Sequence, residues 1–399
     1  MKKVKLLLIL PFFAIFITSC SKNSVKPDKP GKTDSTINVG AIVTGGPGVY
    51  ATGHDASKAD PANLSGFATL WKNGKAYRLS NGAFNATGNS VYADDKNVYV
   101  AGFETNSAGI QVAKLWVNGV GTDLTDGKHN AEANSVVVSG GKVYVAGFED
   151  SATAAAKLWV NNVATTLNSG TLATSVYVYK GDVYVTGSTS NANAVIWKNG
   201  VVTVLDGSGA QDYPPTSIFV AQNHVYVTGD GSPTNNLMDK WLLKLDSVNQ
   251  ANIKSDLFDR GGSYLYEFPY HIGVIWKDGA ADNPVLSGDY QALTYARSVF
   301  VNGSDVYIAG GNLQTNVATL WKNGASTNLS VYPNQSIAYS VYASGSDVYV
   351  AGMATNANGK RVATLWKNNV ATNIGNSDED KSTPGQNGGG QANSVFVLQ

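Results

Sequence analysis

The sequence predicts an all-β fold, a single β-propeller built from four-stranded antiparallel blades. A motif of two short apolar segments recurs along the chain, as in SVVVSGGKVYVAG at 135–147, SVYVYKGDVYVTG at 175–187 and SVFVNGSDVYIAG at 298–310. Eight tryptophans also recur at intervals of 35 to 45 residues. The 43 glycines and 20 tyrosines agree with this prediction, because short aromatic and β-branched segments between glycine-rich turns are typical of β-proteins.

Each repeat of the two-segment motif predicts a β-hairpin. The residue that opens the first segment precedes the valine that opens the second by eight positions in six repeats, although the residues between them differ. The central pairs are Asp95-Lys96, Gly140-Gly141, Lys180-Gly181, Gln222-Asn223, Gly303-Ser304 and Gly345-Ser346. A constant spacing around turn-forming residues predicts a two-residue turn. Strands joined in this way are antiparallel, which excludes a parallel β-helix.

A second hairpin follows in each unit and completes a blade. Segments such as AKLWVNG at 113–119 end in an Asn-Gly pair, which is a favoured hairpin turn. Four antiparallel strands at this period correspond to one propeller blade.

The number of blades is predicted from the tryptophans. They predict eight blades, or seven if residues 230–271 are an insertion. The tryptophans stand at 71, 116, 159, 197, 241, 276, 321 and 366. A tryptophan at one strand position in every unit predicts packing between blades.

The two ends of the chain predict closure of the ring. The first-strand motif occurs once more as SVFV at 394–397, after the last full unit, while the segment at 41–53 already supplies a first hairpin. One terminal strand is therefore surplus unless the ends share a blade. We expect the C-terminal strand to join the N-terminal blade, since an open array needs polar caps at its ends.

The pattern resembles the repeat of kelch-like β-propellers over residues 38–399. Kelch units carry a glycine doublet after the second strand and a tryptophan later in the unit. Most units here have a single glycine and place the tryptophan in the third strand, as in AKLWVNG. The resemblance implies the propeller fold and no particular activity.

The N-terminus predicts a secreted lipoprotein. Three lysines within Met1–Lys5 precede an apolar run from Leu6 to Ile17, which is shorter than the roughly 20 residues of a membrane-spanning helix and is typical of a signal peptide. The ITSC sequence ending at Cys20 resembles the lipobox of bacterial lipoproteins, in particular of the Bacteroidota type. That resemblance implies cleavage after residue 19 and lipidation of Cys20, which is the single cysteine of the chain.

Residues 20–36 are predicted to tether a propeller domain at 37–399 to the membrane. The lysines, prolines and serines of residues 21–36 surround a single apolar residue, Val25, so this segment cannot bury enough apolar surface to fold. By the same resemblance, the serine at position 21, where an aspartate would imply retention in the inner membrane, favours the outer membrane. The orientation, periplasmic or outward, stays open.

Charge and motifs exclude several classes of function. The chain carries 29 basic and 29 acidic residues, and removal of the signal's three lysines leaves 26 against 29. A nucleic-acid partner is not expected, since it requires a clustered basic surface. The sequence lacks a Gly-x-Ser-x-Gly elbow, a phosphate loop and a His-Glu-x-x-His motif, so we expect no cofactor and no metal site.

The longest departure from the repeat supplies the predicted ligand site. Within 230–271, the Asn-Gly turn is lost and charged and aromatic residues accumulate. Aromatic rings beside charged groups suit a polar ligand with an apolar face, such as a sugar or a peptide. The candidate residues are Asp259, Arg260, Tyr264, Tyr266, Glu267, Tyr270 and His271. A degenerate blade or a structural insertion is the alternative interpretation of this segment.

The sequence thus favours a non-catalytic binding module for a glycan, a protein or a peptide. A carbohydrate-active hydrolase or lyase is the alternative, with Asp259 and Glu267 as its carboxylate pair. A structural envelope protein is a third hypothesis. The fold alone does not decide among them, because propellers carry many functions.

Overall fold

A computed structural model describes residues 43–55, 66–151, 153–205, 214–231, 272–281, 294–312, 315–330, 335–375 and 389–399. Within these ranges the regular structure is entirely β, as predicted. The strands are β1 Gly48–Asp55, β2 Phe67–Lys72, β3 Lys75–Arg78, β4 Ala86–Ala93, β5 Val98–Thr105, β6 Gln111–Val117, β7 Val120–Asp123, β8 Asn130–Ser139, β9 Lys142–Asp150, β10 Ala154–Val160, β11 Val163–Thr166, β12 Gly170–Tyr179, β13 Asp182–Thr189, β14 Ala194–Lys198, β15 Val201–Val204, β16 Ser217–Ala221, β17 His224–Gly231, β18 Ile272–Lys277, β19 Ala280–Ala281, β20 Thr294–Asn302, β21 Asp305–Asn312, β22 Val317–Lys322, β23 Ala325–Asn328, β24 Ser336–Ser344, β25 Asp347–Thr355, β26 Arg361–Lys367, β27 Val370–Asn373 and β28 Gln391–Leu398.

The described strands form seven four-stranded antiparallel sheets, which are the blades of a propeller. Blade 1 has the order β28-β1-β2-β3, and blades 2 to 7 follow with four consecutive strands each, from β4–β7 to β24–β27. The first strand of each sheet contacts the first strands of both neighbouring sheets, which closes the ring. Seven blades correct the sequence-based expectation of eight.

The count of eight was wrong because Trp241 was taken to mark a unit of its own. In blade 5, β17 pairs directly with β18, with Val227 opposite Trp276. Trp276 therefore occupies the tryptophan position of this blade, as Trp71 and Trp116 do opposite Ala51 and Val100. Residues 232–271 lie between the second and third strands of a blade that is complete without them.

The two ends of the ring differ in their connections. The tight turns between strands one and two and between strands three and four lie at one end, which we call the hairpin face. The connections from strand two to strand three and from each blade to the next lie at the other end, the loop face. This arrangement follows from the antiparallel order of every sheet.

An asparagine at the second turn of most blades explains the recurring Asn-Gly pair. Asn323 adopts a φ of 49° and Gly324 one of 86°, which is the left-handed backbone that a two-residue hairpin requires. The Asn323 Oδ1 also accepts a hydrogen bond from the Val306 N–H at 2.8 Å. The same bond recurs in all seven blades, with Asp278 replacing asparagine in blade 5.

The first turn of blade 2 differs from the predicted two-residue hairpin. Ala93 pairs with Val98, so four residues connect the strands. The Asp94 carboxylate accepts hydrogen bonds from the N–H groups of Lys96 and Asn97 at 2.9 and 2.7 Å. The Asp95-Lys96 pair lacks a residue that readily adopts positive φ, so the side chain of Asp94 stabilises a longer turn instead.

The tryptophans pack between blades, as predicted. Trp116 of blade 2 lies in a cluster with Tyr50 and Leu70 of blade 1, and Trp71 of blade 1 packs against Tyr349 of blade 7. The other five blades repeat this contact with the preceding blade. All seven of these side chains are at most 2% exposed, so the cores of the blades form one continuous ring.

A ring of serine hydroxyl groups joins the inner strands. Ser90 Oγ accepts a hydrogen bond from the Val136 N–H of the next blade at 3.1 Å, and Ser394 Oγ accepts one from the Val91 N–H at 3.2 Å. Serines 135, 175, 217, 298 and 340 make the equivalent bond to the following blade. Seven bonds therefore run once around the ring, which explains why the repeat begins with serine.

A β-bulge just before the serine explains the glycine that recurs within the second strand. In blade 2 the register shifts between Gly88 and Ser90, which leaves Asn89 without a partner. The bulge moves the Thr87 carbonyl group towards Gly102, where an added Cβ would lie 2.0 Å from its oxygen. Only glycine fits this position, and Gly147, Gly187, Gly310 and Gly352 have the same close approach.

The ring closes through the C-terminal strand, as predicted from SVFV. β28 pairs with β1, with Val397 opposite Val49 and Val395 opposite Ala51. Val395 and Val397 are 4% and 8% exposed in the cluster that holds Trp71. Blade 1 thus combines both ends of the described propeller.

We predict that removal of β28 destabilises the whole propeller. A chain that ends at Gly390 loses two buried valines, which contribute roughly 3 to 6 kcal/mol together, and two of the seven serine bonds. This is a large share of the usual 5 to 15 kcal/mol of folding free energy. Thermal unfolding is expected to occur at a much lower temperature, and a synthetic peptide of residues 391–399 should restore part of the loss. An unfolding temperature equal to that of the full chain would contradict closure by β28.

Candidate functional site

All the residues that the sequence selected for a ligand site lie outside the described residues. Asp259, Arg260, Tyr264, Tyr266, Glu267, Tyr270 and His271 belong to residues 232–271, and Cys20 lies in the N-terminal segment before residue 43. The described ends of the 232–271 connection are Gly231 in β17 and Ile272 in β18. Both ends lie at the loop face, and Asp230 precedes the connection directly.

The inner strands enclose a central channel that an aromatic collar narrows. The residue two positions after each ring serine is aromatic in six blades and Val137 in blade 3; the aromatic members are Tyr92, Tyr177, Phe219, Phe300, Tyr342 and Phe396. Centroids of adjacent rings are 4.4 to 5.1 Å apart from Tyr92 through Phe396, Tyr342, Phe300 and Phe219 to Tyr177. At this separation the rings are in contact, so the collar is continuous over six blades.

Three tyrosines place their phenol groups inside the collar. Burial, with smaller contributions from the phenols of Tyr342 and Tyr92, raises the pKa of Tyr177 to about 12. Tyr342 belongs to blade 7 and Tyr92 to blade 2, so neither is adjacent to Tyr177 in blade 4. The pKa values of Tyr92 and Tyr342 are also raised, mainly by burial. With a raised pKa, they stay protonated and can donate hydrogen bonds.

The bulge residue before each ring serine forms the loop-face mouth of the channel. In four blades this residue has a structural role, since its side chain donates to a carbonyl oxygen of the next inner strand. These bonds join Asn393 to Gly88, Asn89 to Ala133, Asn134 to Ala173 and Thr216 to Ala296. Thr174 donates to Thr186 in its own blade instead.

In blades 6 and 7, Arg297 and Tyr339 occupy this position and do not make the inter-blade bond. The Arg297 guanidinium lies over the Tyr295 ring, 4.5 Å from its centroid, and its Nη1 is 3.6 Å from Asp230 Oδ2. The Arg297 Nε is buried without a hydrogen-bond partner. The Arg297 side chain is 34% exposed, whereas that of Asp230 is 3% exposed. Arg297 thus keeps hydrogen-bonding capacity that the fold does not use.

Tyr339 lies within the electrostatic influence of two arginines. Burial raises the pKa of its phenol, and the charges of Arg297 and Arg361 lower it. Arg361 opens β26 at the loop face, and its carbonyl oxygen accepts a hydrogen bond from the Gly390 N–H at 3.2 Å. Blades 6 and 7 therefore place two guanidinium groups and two phenols, those of Tyr295 and Tyr339, on one side of the mouth.

An acidic residue, Glu132, lies on the inner strand of blade 3. Asn89 Nδ2 donates to its Oε1 at 2.6 Å, and burial raises the pKa of the carboxyl group although this hydrogen bond lowers it. Glu132 therefore adds a carboxyl group to the mouth beside blades 2 and 3, while the Arg297 guanidinium lies near the Asp230 carboxylate on the side of blades 5 and 6.

His54 lies at the loop face in blade 1, where β1 pairs with the C-terminal strand β28. Its Nδ1 lies 3.1 Å from Thr87 Oγ1. Burial lowers the pKa of the imidazole to about 4, although a hydrogen bond with the Gly389 backbone raises it. His54 is therefore neutral near pH 7. His224 lies at the hairpin face, where it is partly exposed and its Nδ1 is 2.7 Å from Asp278 Oδ2.

Sequence reasoning missed Glu132, Arg297 and Tyr339 because it considered only the longest break in the repeat. A comparison of the repeats position by position contains the signal. The residue before the ring serine is asparagine or threonine in five blades, but arginine and tyrosine in blades 6 and 7. Both substitutions are too large and too different from asparagine to preserve the inter-blade bond.

The mouth can bind a ligand through hydrogen bonds, charge and stacking. No cluster of three or more histidine, cysteine, aspartate or glutamate side chains suited to a metal ion occurs among the described residues. The same ranges contain no helix with the length and hydrophobicity of a membrane span.

No family model and no curated protein matches the chain. Among solved structures, it is similar to the computationally designed protein Ika8, at 12% sequence identity and a TM-score of 0.42. The match covers 90% of this chain and 100% of the designed chain. A likeness at this level carries no information on function.

We predict that the carboxyl group of Glu132 destabilises the protein at neutral pH. A raised pKa means that the folded state holds the proton more tightly, so the free energy of unfolding falls as pH rises from the unfolded pKa of about 4.3 through the folded value. Glu132→Gln should therefore raise the unfolding temperature at pH 8 and leave it nearly unchanged at pH 4. Thermal unfolding at several pH values measures this difference.

The matched control is Glu104→Gln, since Glu104 Oε2 pairs with Lys114 Nζ at 2.6 Å. This variant should lower the unfolding temperature at pH 8. A Glu132→Gln variant that is less stable than wild type at pH 8 would show that the carboxylate is favourably bound.

Proposed function

We propose that the chain is a binding module, anchored to the bacterial envelope through a lipid on Cys20, that binds a glycan or a peptide at the loop-face mouth without turning it over. The observation that carries the proposal is the pair Arg297 and Tyr339. Both stand at a position that other blades use to hold the ring together, and neither makes that bond. Polar side chains released from a structural role, at the opening of a channel, are available to a ligand.

The surroundings of this pair suit a polar ligand with apolar faces. The phenols of Tyr92, Tyr177 and Tyr342 offer hydrogen-bond donors below the mouth, and the collar offers aromatic surface. Small-molecule sites combine such apolar walls with a few polar groups in fixed positions. A saccharide matches this combination, since its hydroxyl groups need partners and its C–H faces stack on aromatic rings.

The envelope address in this proposal comes from the N-terminal sequence. The lysine-rich start, the apolar run and Cys20 favour export and lipidation, and residues 21–36 favour a flexible spacer. A tether of this kind holds a binding domain near the membrane, where a captured glycan or peptide can be passed on. The outer membrane is the location that Ser21 favours.

A propeller-fold carbohydrate-active enzyme is the second candidate, and Glu132 is the observation that favours it. A carboxyl group with a raised pKa suits a general acid. Glycoside hydrolysis requires a second carboxylate about 5 to 9.5 Å away. The side-chain partner of Glu132 among the described residues is Asn89, so the binding role is preferred.

The test compares ligand binding by wild-type protein and by Tyr339→Asn. Asparagine is the residue of blades 1, 2 and 3 at this position, so the variant should fold while losing the phenol. Screening with neutral and acidic oligosaccharides and with peptides identifies a ligand, and calorimetry should then show at least tenfold weaker binding by Tyr339→Asn. In cells, Cys20→Ser should release the protein from the membrane fraction without changing the affinity of the purified domain.

Tyr179→Asn is the matched control, because Tyr179 ends the inner strand of blade 4 at the hairpin face and should not affect binding. Equal binding by wild type and Tyr339→Asn would contradict the site. Cleavage of the ligand by wild type and not by Glu132→Gln would support the enzyme instead.

A further inference from the structure

We infer that the basic side of the mouth, formed by Arg297, Tyr295, Tyr339 and Arg361, is a subsite for the carboxylate of an acidic saccharide. The inference rests on the proposed function, and it names the class of glycan that the site selects.

The first argument is the incomplete hydrogen bonding of Arg297. A guanidinium group has five N–H donors, and buried donors are nearly always satisfied in folded proteins. The Arg297 Nε is buried and unpaired, and the 3.6 Å between Nη1 and Asp230 Oδ2 exceeds a hydrogen-bond distance. The Arg297 side chain as a whole is 34% exposed, so a ligand oxygen at the guanidinium would meet donors that the fold leaves incompletely paired.

The second argument is that the guanidinium is already oriented. Its Cζ lies over the Tyr295 ring, 4.5 Å from the ring centroid, and this contact restricts its movement. Asp230 is itself fixed, since its Oδ1 accepts a hydrogen bond from the Ala296 N–H at 3.0 Å. A planar guanidinium held in this way can bind a carboxylate through two parallel hydrogen bonds, which favours a carboxylate over a neutral hydroxyl group.

The third argument concerns the local charge. The charges of Arg297 and Arg361 both lower the pKa of the Tyr339 phenol, and Arg361 opens β26 at the loop face. The buried Asp230 carboxylate offsets part of the charge of Arg297, but its contact with Ala296 directs one of its oxygens to the backbone. The tyrosine rings beside these charges provide the stacking surface that a pyranose ring needs. Together they fit a sugar that carries its own carboxylate better than an acidic peptide, which lacks a stacking face.

The test uses oligogalacturonate and oligoglucuronate with their methyl esters as probes. Esterification removes the charge and keeps the sugar ring, so it isolates the contribution of the carboxylate. Wild-type protein should bind one of the acids at least tenfold more tightly than its ester, and the preference should decrease with added salt. Arg297→Asn should abolish the preference, because it weakens binding of the acid far more than binding of the ester.

Two further variants separate charge from geometry. Arg297→Lys keeps the charge without the planar pair of donors, and we expect an intermediate preference. Tyr179→Asn, at the opposite face, should behave as wild type. Asparagine at 297 matches blades 1, 2 and 3, and circular dichroism is the check that the variant folds.

Equal affinity for acid and ester, or tighter binding of oligoglutamate than of either acid, would overturn the inference. An equal loss of both affinities in Arg297→Asn would also overturn it. In these cases neutral oligosaccharides that bind wild type and not Tyr339→Asn would leave the proposed binding function intact. If no saccharide or peptide binds wild type, both proposals fail.

Discussion

The hydrogen bond from the N–H group that follows one ring serine to the serine Oγ of the preceding blade is the interaction on which the propeller depends. Each bond contributes only about 0.5 to 1.5 kcal/mol, but its two partners always belong to different blades. The cycle from Ser394 through Ser90 to Ser340 and back to Val395 is complete only when all seven inner strands are present. Each tryptophan likewise contacts the preceding blade, so the packing and the hydrogen bonding both complete the same ring.

The same constraint decides where function can arise. The serine, the valine or isoleucine that follows it and the glycine of the second strand are fixed by the bulge and by the ring. The asparagine of the second turn is fixed by its bond to the second strand. The bulge residue is the first position along the channel where a blade can give up a structural bond without losing the serine contact. Arg297 and Tyr339 stand at this position, which explains why a polar site can form there while the ring persists.

Much of the fold could be predicted from the sequence, because local turn chemistry and strand length determine each hairpin. The antiparallel four-stranded units, the packing role of tryptophan and the pairing of β28 with β1 were all predicted, and the structure confirms them. The blade number was wrong, because a tryptophan such as Trp241 resembles a repeat unit when strand pairing is unknown. The long turn at Asp94 was missed since a constant spacing does not distinguish two connecting residues from four.

The site was less accessible to sequence reasoning for a physical reason. Whether a side chain faces the channel depends on the bulge, which reverses the alternation of the inner strand just before the serine. Without the bulge, Arg297 and Tyr339 cannot be assigned to the channel, and the carbonyl bonds made by Asn89 and Asn134 cannot be recognised as the rule that these residues break. The charged and aromatic residues of 255–271 attracted attention because of their composition, and they stay candidates outside the described residues.

Residue-resolved native-state hydrogen exchange tests the central claim most directly. The seven amides that donate to the serine ring are Val91, Val136, Val176, Ile218, Val299, Val341 and Val395. If the ring is one cooperative unit, all seven should exchange with the same free energy, equal to that of global unfolding. Exchange of some of these amides at a clearly lower free energy, while the others stay protected, would show that blades open independently and would contradict the account.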